Sequence, residues 1–270
     1  MNETLKSYFD GIGVTHFSVI RYSDCREINE RLRLCLDFTP RTAVVFLLPY
    51  YAGETVNLSR YAASLDYHII LREVAEGLTA ALRGEYPDAH FVGYGDHSPI
   101  DEVHAALISG LGIRGDNGLI INEAYGSYIF VGDLLTDIDP EILGATSPVE
   151  PKGCYHCGAC GRACPTGILR GEGSDCLSAI TQRKGELAED EKALMRKYNT
   201  AWGCDMCQSS CPYNKNPVLT PIRFFYRERM PELRLDLIKD MTRVEFSRRA
   251  FAWRGRKTVE RNLAILAENN

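Results

Sequence analysis

The sequence predicts an α+β fold: an α/β region, then a compact cysteine-rich module, then a short helical tail. Three observations predict it. Short apolar runs alternate with a long amphipathic segment in residues 1–147. Eight of the ten cysteines fall between Cys154 and Cys211. From residue 221 onward, basic residues interleave with Phe, Leu and Ile. The expected division is therefore 1–147, 148–220 and 221–270.

Within the first region, residues 41–50 (RTAVVFLLPY) form a continuous apolar run suited to a buried strand. Residues 58–83 read as one helix, because Ile70, Val74 and Leu78 recur every four residues and Gly84 supplies a stop. On such a helix Tyr61 and His68 share a face roughly opposite that stripe. HFVGY at 90–94 is a second strand. A helix is expected from Pro99, with Ser98 as N-cap and Asp101 as capping-box partner, ending near Gly110. GLIIN at 118–122 and SYIFVGDLL at 127–135 read as two strands around the turn EAYG. Residues 144–151, with two prolines among small residues, mark a linker. Gly110, Gly112 and Gly115 fit G-x-G-x-x-G, but a dinucleotide fingerprint follows a strand and opens a helix. These glycines follow a helix and precede a strand, which argues against a nicotinamide site.

The cysteines decide the chemistry. Cys154, Cys157, Cys160 and Cys164 form C-x2-C-x2-C-x3-C followed by Pro165; after Cys176, Cys204, Cys207 and Cys211 form C-x2-C-x3-C followed by Pro212. The first run has the bacterial [4Fe–4S] spacing, in which three thiolates hold one cluster and the fourth reaches the other. The module thus reads as bacterial-ferredoxin-like, with two [4Fe–4S] clusters. The crossed rule assigns Cys154, Cys157, Cys160 and Cys211 to one, and Cys164, Cys176, Cys204 and Cys207 to the other. Structural zinc uses paired knuckles and leaves the three-step run unexplained. Disulfides suit secreted chains, and the first residues, MNETLKSYFD, lack the basic start and apolar core of a signal peptide. Cys25 and Cys35 read as ordinary free thiols, and His156 as a surface residue inside the first run. A cytoplasmic protein without a membrane anchor is expected.

Composition is that of a globular protein, with 45% hydrophobic and 25% charged residues, which excludes a disordered chain. The net charge of −5 does not mark a nucleic-acid binder, yet residues 221–262 hold twelve Lys or Arg against six Asp or Glu. Such a tail can face phosphates, although a solvated helical face explains the composition equally well. Two clusters make an electron wire, and the region before them should hold a substrate, a second cofactor, or both. The residues thus indicate a reductase or an electron-transfer protein.

Several segments, taken in order, resemble the epoxyqueuosine reductases, a family of cobalamin- and iron–sulfur-dependent enzymes related in fold to reductive dehalogenases. They are SRYAASLDYH (59–68), the Asp96-x-x-Pro99…Glu102 motif, SGLGIRGDNGLIIN (109–122), YGSYIFVGDLLTD (125–137), CGACGRACPTGIL (157–169), GCDMCQSSCPYN (203–214) and RKTVERNLAIL (256–266). The resemblance covers nearly the whole chain. It implies two-electron reduction of epoxyqueuosine in a tRNA anticodon loop to queuosine, with electrons passing from a low-potential donor through the clusters to cobalamin. It implies that Asp96 is the general acid, and such a carboxyl needs its pKa raised by burial. It also implies that Tyr67, His68, Asn117, Gly126 and Ser127 approach the cobalamin. A monomer is expected.

The chain departs from the family pattern in three places. Asp116 stands where lysine is common, Val103 where arginine follows the motif glutamate, and Tyr213 where tryptophan is frequent. It also ends where many members continue into a helical-repeat domain. Two rival readings are a paralogue with the same cofactors and a small-molecule substrate, and a ferredoxin-like carrier that binds no corrinoid.

Overall fold

The computed structural model describes residues 2–268. The chain forms two compact units, Met1–Pro49 with His68–His156, and Tyr50–Tyr67 with Cys157–Asn270. The division is not the linear one that composition suggests. The boundary falls after His156 rather than near residue 147, the segment Tyr50–Tyr67 joins the cysteine-rich part, and the tail after residue 221 does not stand apart.

The first unit is built on a four-stranded sheet of order β1-β2-β6-β3, from β1 (Phe17–Arg21), β2 (Thr42–Pro49), β6 (Ile129–Thr136) and β3 (Phe91–Tyr94). Every neighbouring pair is antiparallel. The strands at 41–50 and 90–94 are thus present. The central strand β2 is buried on both faces, which explains why it reads as an unbroken apolar run. Alternate residues serve opposite faces. Val45, Leu47, Val131 and Leu135 pack with Ile100 and with Ala105 of α4 (Glu102–Ile108). On the other face, Phe46 meets Phe9 of α1 (Glu3–Ile12) at a ring distance of 5.5 Å. A side chain at Gly132 would come within 2.7 Å of both Phe46 and Leu71 of α3 (Tyr67–Arg83), so only glycine lets that helix approach. A short α2 (Glu30–Leu34) lies between β1 and β2, and α5 (Pro140–Leu143) follows β6.

Three local expectations are corrected. The helix expected over 58–83 begins only at Tyr67, and Arg60–Ala62 forms a single 3-10 turn. The backbone of the preceding segment is committed elsewhere: Ser59 N–H donates to Trp202 O at 2.7 Å, and Asp66 N–H to Arg248 O at 2.8 Å. Those bonds replace the helical ladder, so Tyr61 and His68 do not share a helix face. The helix expected from Pro99 begins at Glu102, with Asp101 as N-cap accepting from His104 N–H at 2.9 Å. Residues 99–101 instead lie against the 26–29 segment, where Pro99 O accepts from Ile28 N–H and Asn29 N–H. Finally, β5 (Ile120–Ile121) pairs with β4 (Ile113–Arg114) rather than with β6. The intervening turn closes on itself through paired Asn122–Gly126 backbone bonds at 2.9 Å, with Gly126 at φ 60°. The glycines at 110, 112 and 115 follow α4 and enter this β4–β5 hairpin, the reverse of the dinucleotide order.

The second unit is helical. It contains α6 (Ala159–Ala163), α7 (Leu177–Gln182), α8 (Glu189–Lys197), α9 (Met206–Ser209), α10 (Leu235–Asp240), α11 (Arg243–Ser247) and α12 (Arg256–Ala267). One core gathers Leu58, Trp202, Ile238, Phe251, Val259 and Leu263. A second joins Leu177, Ile180 and Met195 to Ile265. The fully buried Asn262 of α12 donates to Thr181 O and Ala201 O, both at 2.7 Å. These contacts make the tail part of the cysteine-rich fold. No helix among the described residues is long and apolar enough to cross a membrane.

Candidate functional site

In the second unit, the cysteines lie at helix ends. Cys160 is on α6 and Cys164 caps its C-terminus. Cys176 precedes α7, Cys207 is on α9, and Cys211 precedes the 3-10 turn Pro212–Asn214. All are free thiols. The α6 and α9 segments pack together, and Ser210 Oγ donates to Ala159 O at 3.4 Å. Asp205, between Cys204 and Cys207, accepts from Arg60 N–H at 2.7 Å and pairs with the Arg60 guanidinium at 3.1 Å. Gln208 donates to Tyr50 O–H at 3.0 Å. These bonds explain why 50–67 folds with the cysteines.

Two of the thiols sit in contrasting electrostatic surroundings. Burial, outweighing a bond from Met206 N–H, pushes the Cys204 thiol up to about 12, and the neighbouring thiols of Cys176 and Cys207 push the same way. Cys164 differs. Burial raises it, but bonds from Leu169 N–H and from the Thr166 hydroxyl and following backbone outweigh that and lower it. Donors aimed at sulfur are what a cluster thiolate accepts. In the first unit, Cys154 N–H donates to Arg114 O at 2.9 Å. His156 is exposed and its Nδ1 lies 2.7 Å from Asp116 Oδ1. Asp116, Cys154 and His156 offer ligand atoms within 4.8 Å of one another.

The first unit also brings two sequence-predicted residues together. His68, the second residue of α3, places Nε2 3.9 Å from Asp96 Oδ2. Asp96 lies just beyond β3 with φ 68°, a left-handed conformation that asparagine and aspartate adopt more readily than other side chains. Its amide donates to Glu102 Oε1 at 2.9 Å. His68 lines an open groove of about 650 Å³ together with Leu71, Arg72, Tyr94, Gly95 and His97. The side chain of Asp96 is 62% exposed, so the protein alone does not supply the burial that an acid near neutral pH needs.

The remaining expected residues fall in turns. Asn117 sits at the tip of the β4–β5 hairpin, where its Oδ1 accepts from Leu119 N–H at 3.3 Å. Gly126 closes the turn before β6, and Ser127 is buried beside it. Tyr67 starts α3 and meets Tyr61 edge to face at 6.3 Å.

In the sequence, Glu102 stands out only as a motif residue without a role, and Asp133 does not stand out at all. Asp133 lies mid-strand in β6, fully buried, and neither carboxyl oxygen makes a well-formed hydrogen bond. Burial pushes its carboxyl up to about 7, against a smaller lowering by the Ser98 hydroxyl. Burial also pushes Glu102 up to about 8, aided by Asp133 and then Asp96, with the Asp96 amide opposing. A single acid inside an apolar strand was the available signal.

Residues 153–214 match the 4Fe-4S double cluster binding domain. The chain is similar to the epoxyqueuosine reductase of Listeria monocytogenes, 35% identical over 222 residues that cover 77% of this chain and 56% of the relative. It is 37% identical over 168 residues to that of Escherichia coli, covering 60% of this chain and 43% of the relative. The chain thus spans about half the length of these curated relatives. The solved epoxyqueuosine reductase of Streptococcus thermophilus superposes with a TM-score of 0.81 at 25% identity, over 100% of this chain and 82% of that one. Another, solved with an epoxyqueuosine-modified tRNA stem loop, has a TM-score of 0.77 at 24% identity, over 98% of this chain and 80% of that one, a likeness of fold.

Proposed function

We propose that this chain, which belongs to the epoxyqueuosine reductase family, removes the epoxide oxygen of epoxyqueuosine in tRNA, using two [4Fe–4S] clusters and cobalamin. The observation that carries this reading is the Asp96–His68 pair at an open groove, in a chain that also carries the double-cluster cysteine set. The conversion takes up two electrons and two protons and releases the oxygen as water. Cobalamin, when bound, supplies the two-electron reducing power; the protein must supply protons and position. Asp96 donates a proton to the departing oxygen, and His68, 3.9 Å away, is placed to return one to it. The desolvation that Asp96 needs has to come from the molecules bound against it. Cys154, Cys157, Cys160 and Cys211 hold one cluster, and Cys164, Cys176, Cys204 and Cys207 the other. A groove of this size suits a large ligand, and family resemblance assigns Tyr67, Asn117, Gly126 and Ser127 to cobalamin binding. A relative of this fold bound to a modified tRNA stem loop supports tRNA as the substrate. A cytoplasmic location and a low-potential electron donor follow from that chemistry.

The test is turnover by the anaerobically reconstituted protein, with reductant, cobalamin and epoxyqueuosine-bearing tRNA, read by mass spectrometry of the nucleoside. Cobalamin-dependent loss of one oxygen is the expected result. No conversion by fully loaded protein moves the assignment to a small molecule on the same core. One observation favours that second reading: Asp116 stands where lysine is common in the family, and its carboxylate, paired with His156 Nδ1 at 2.7 Å, puts a negative group where a phosphate would need a positive one.

A further inference from the structure

The turn that carries Asp96 is tied to two acids, the half-buried Glu102 and the fully buried Asp133. The Asp96 amide donates to Glu102 Oε1 at 2.9 Å, and Asp96 itself stands at φ 68°. Tyr94, two residues earlier, is the register partner of Asp133, so the strand enters the turn directly from above that acid. Asp133 is fully buried with neither oxygen in a well-formed hydrogen bond, which is costly for an ionised carboxylate.

The groups facing this pair come from every packed element. Asp96 and Ser98 face it from the turn, Tyr94 from β3, and Cys25 from the segment after β1, with Asp24 in turn beside Cys25. None is a cation. Asp24 carries a buried oxygen without a partner, and Cys25 is pushed up to about 12 by burial and then by Asp133. The surroundings therefore offer no charge to compensate a second anion.

We propose that Glu102 is a positioning residue for Asp96, and that Asp133 makes its hold depend on protonation. The turn is held while the pair keeps at least one proton, and is released when both carboxyls are ionised and repel each other. No other group has to change state, since the protons leave to solvent. The consequence for turnover rests on Asp96 being the proton donor; the hold itself does not.

Hydrogen exchange on the full, cluster-loaded chain tests this. Exchange of the peptide containing residues 94–98 is followed by mass spectrometry from about pH 6 to about pH 10, corrected for the intrinsic pH dependence. Loss of one such bond should raise exchange by about 3- to 10-fold. In the wild type, protection should fall as pH passes through about 8. In Glu102→Ala it should be absent at every pH. In Glu102→Gln, where an amide oxygen still accepts and cannot ionise, it should persist to alkaline pH, and turnover lost in Glu102→Ala should be restored. In Asp133→Asn, removal of the repelling charge should preserve protection at high pH. Wild-type protection in Glu102→Ala, or pH-independent protection in the wild type, overturns the proposal. Full turnover by Asp96→Asn would remove the catalytic reading alone and leave the exchange result standing.

Discussion

His68 Nε2 lies 3.9 Å from Asp96 Oδ2, although the two residues sit on different elements, the first turn of α3 and the turn after β3. The pair is half exposed, at the rim of a groove, and is not packed into the core. A histidine kept only for packing would be buried, whereas the side chain of His68 is about half exposed. This one faces a carboxylate across a gap that a proton or a ligand can enter, and this arrangement makes Asp96 testable as a proton donor.

Replacing Asp96 with asparagine keeps the shape and removes the transferable proton. Iron content and cobalamin binding should stay at wild-type levels, while turnover on epoxyqueuosine-bearing tRNA should drop by about 100-fold or more. Nucleoside mass spectrometry under saturating reductant measures it. Wild-type conversion would return Asp96 to the role of a turn residue.

Cys204 and Cys207 belong to one ligand set on the present assignment. Cys204→Ser should therefore lower iron from about eight to about four atoms per chain and reduce the broad visible absorbance by roughly half. Cys25→Ser should leave both unchanged, because Cys25 packs among the apolar residues of the first unit. Iron analysis on anaerobically purified protein distinguishes the two.

Asn262 satisfies two buried carbonyls, Thr181 O and Ala201 O, with one amide group. Asn262→Leu leaves both unpaired, at about 1–3 kcal/mol each. Urea denaturation should show a lower midpoint and a stability loss on the order of 2–5 kcal/mol. A loss below about 0.5 kcal/mol would mean that α12 is not pinned where these bonds place it.

Burial raises the Asp133 carboxyl from 3.8 to about 7. The folded state thus binds a proton more tightly than the unfolded chain. Its stability contribution is fully present below about pH 4 and is lost as pH rises to about 7. Asp133→Asn should remove this slope, so the variant gains on the wild type as pH increases across that window. Denaturation midpoints at several pH values test the sign. A gain that grows toward acid pH would contradict it.

Gly132 sits where a side chain would meet the Phe46 ring at 2.6 Å and Leu71 at 2.7 Å. Gly132→Ala should cost about 1–3 kcal/mol by pushing α3 off the sheet. Because α3 carries His68, turnover should fall as well. Thermal unfolding and kcat measured on the same variant would show both effects together, and an unchanged melting temperature would sink the argument.

Much of the chemistry was legible in one dimension, because thiolate spacing within a run is a local property. Three cysteines at three-residue steps followed by Cys-Pro need no tertiary information to indicate a cluster, and residues 153–214 match a double-cluster domain. The buried strand at 42–49 was legible for a similar reason, since a run of Val, Phe and Leu has few other places to go, and the half-buried strand at 91–94 followed from its short apolar stretch. What only the tertiary structure decided is where backbone hydrogen bonds are spent. Residues 58–66 read as the start of a helix, yet the amides of Ser59 and Asp66 serve Trp202 and Arg248, so the helix waits until Tyr67. Pro99 gives its carbonyl to residues 28 and 29, so Asp101, not Ser98, starts α4. The coupling of Glu102 and Asp133 to Asp96 likewise depends on which strands pair. A sequence lists its acids one by one, whereas burial and repulsion belong to the space between them.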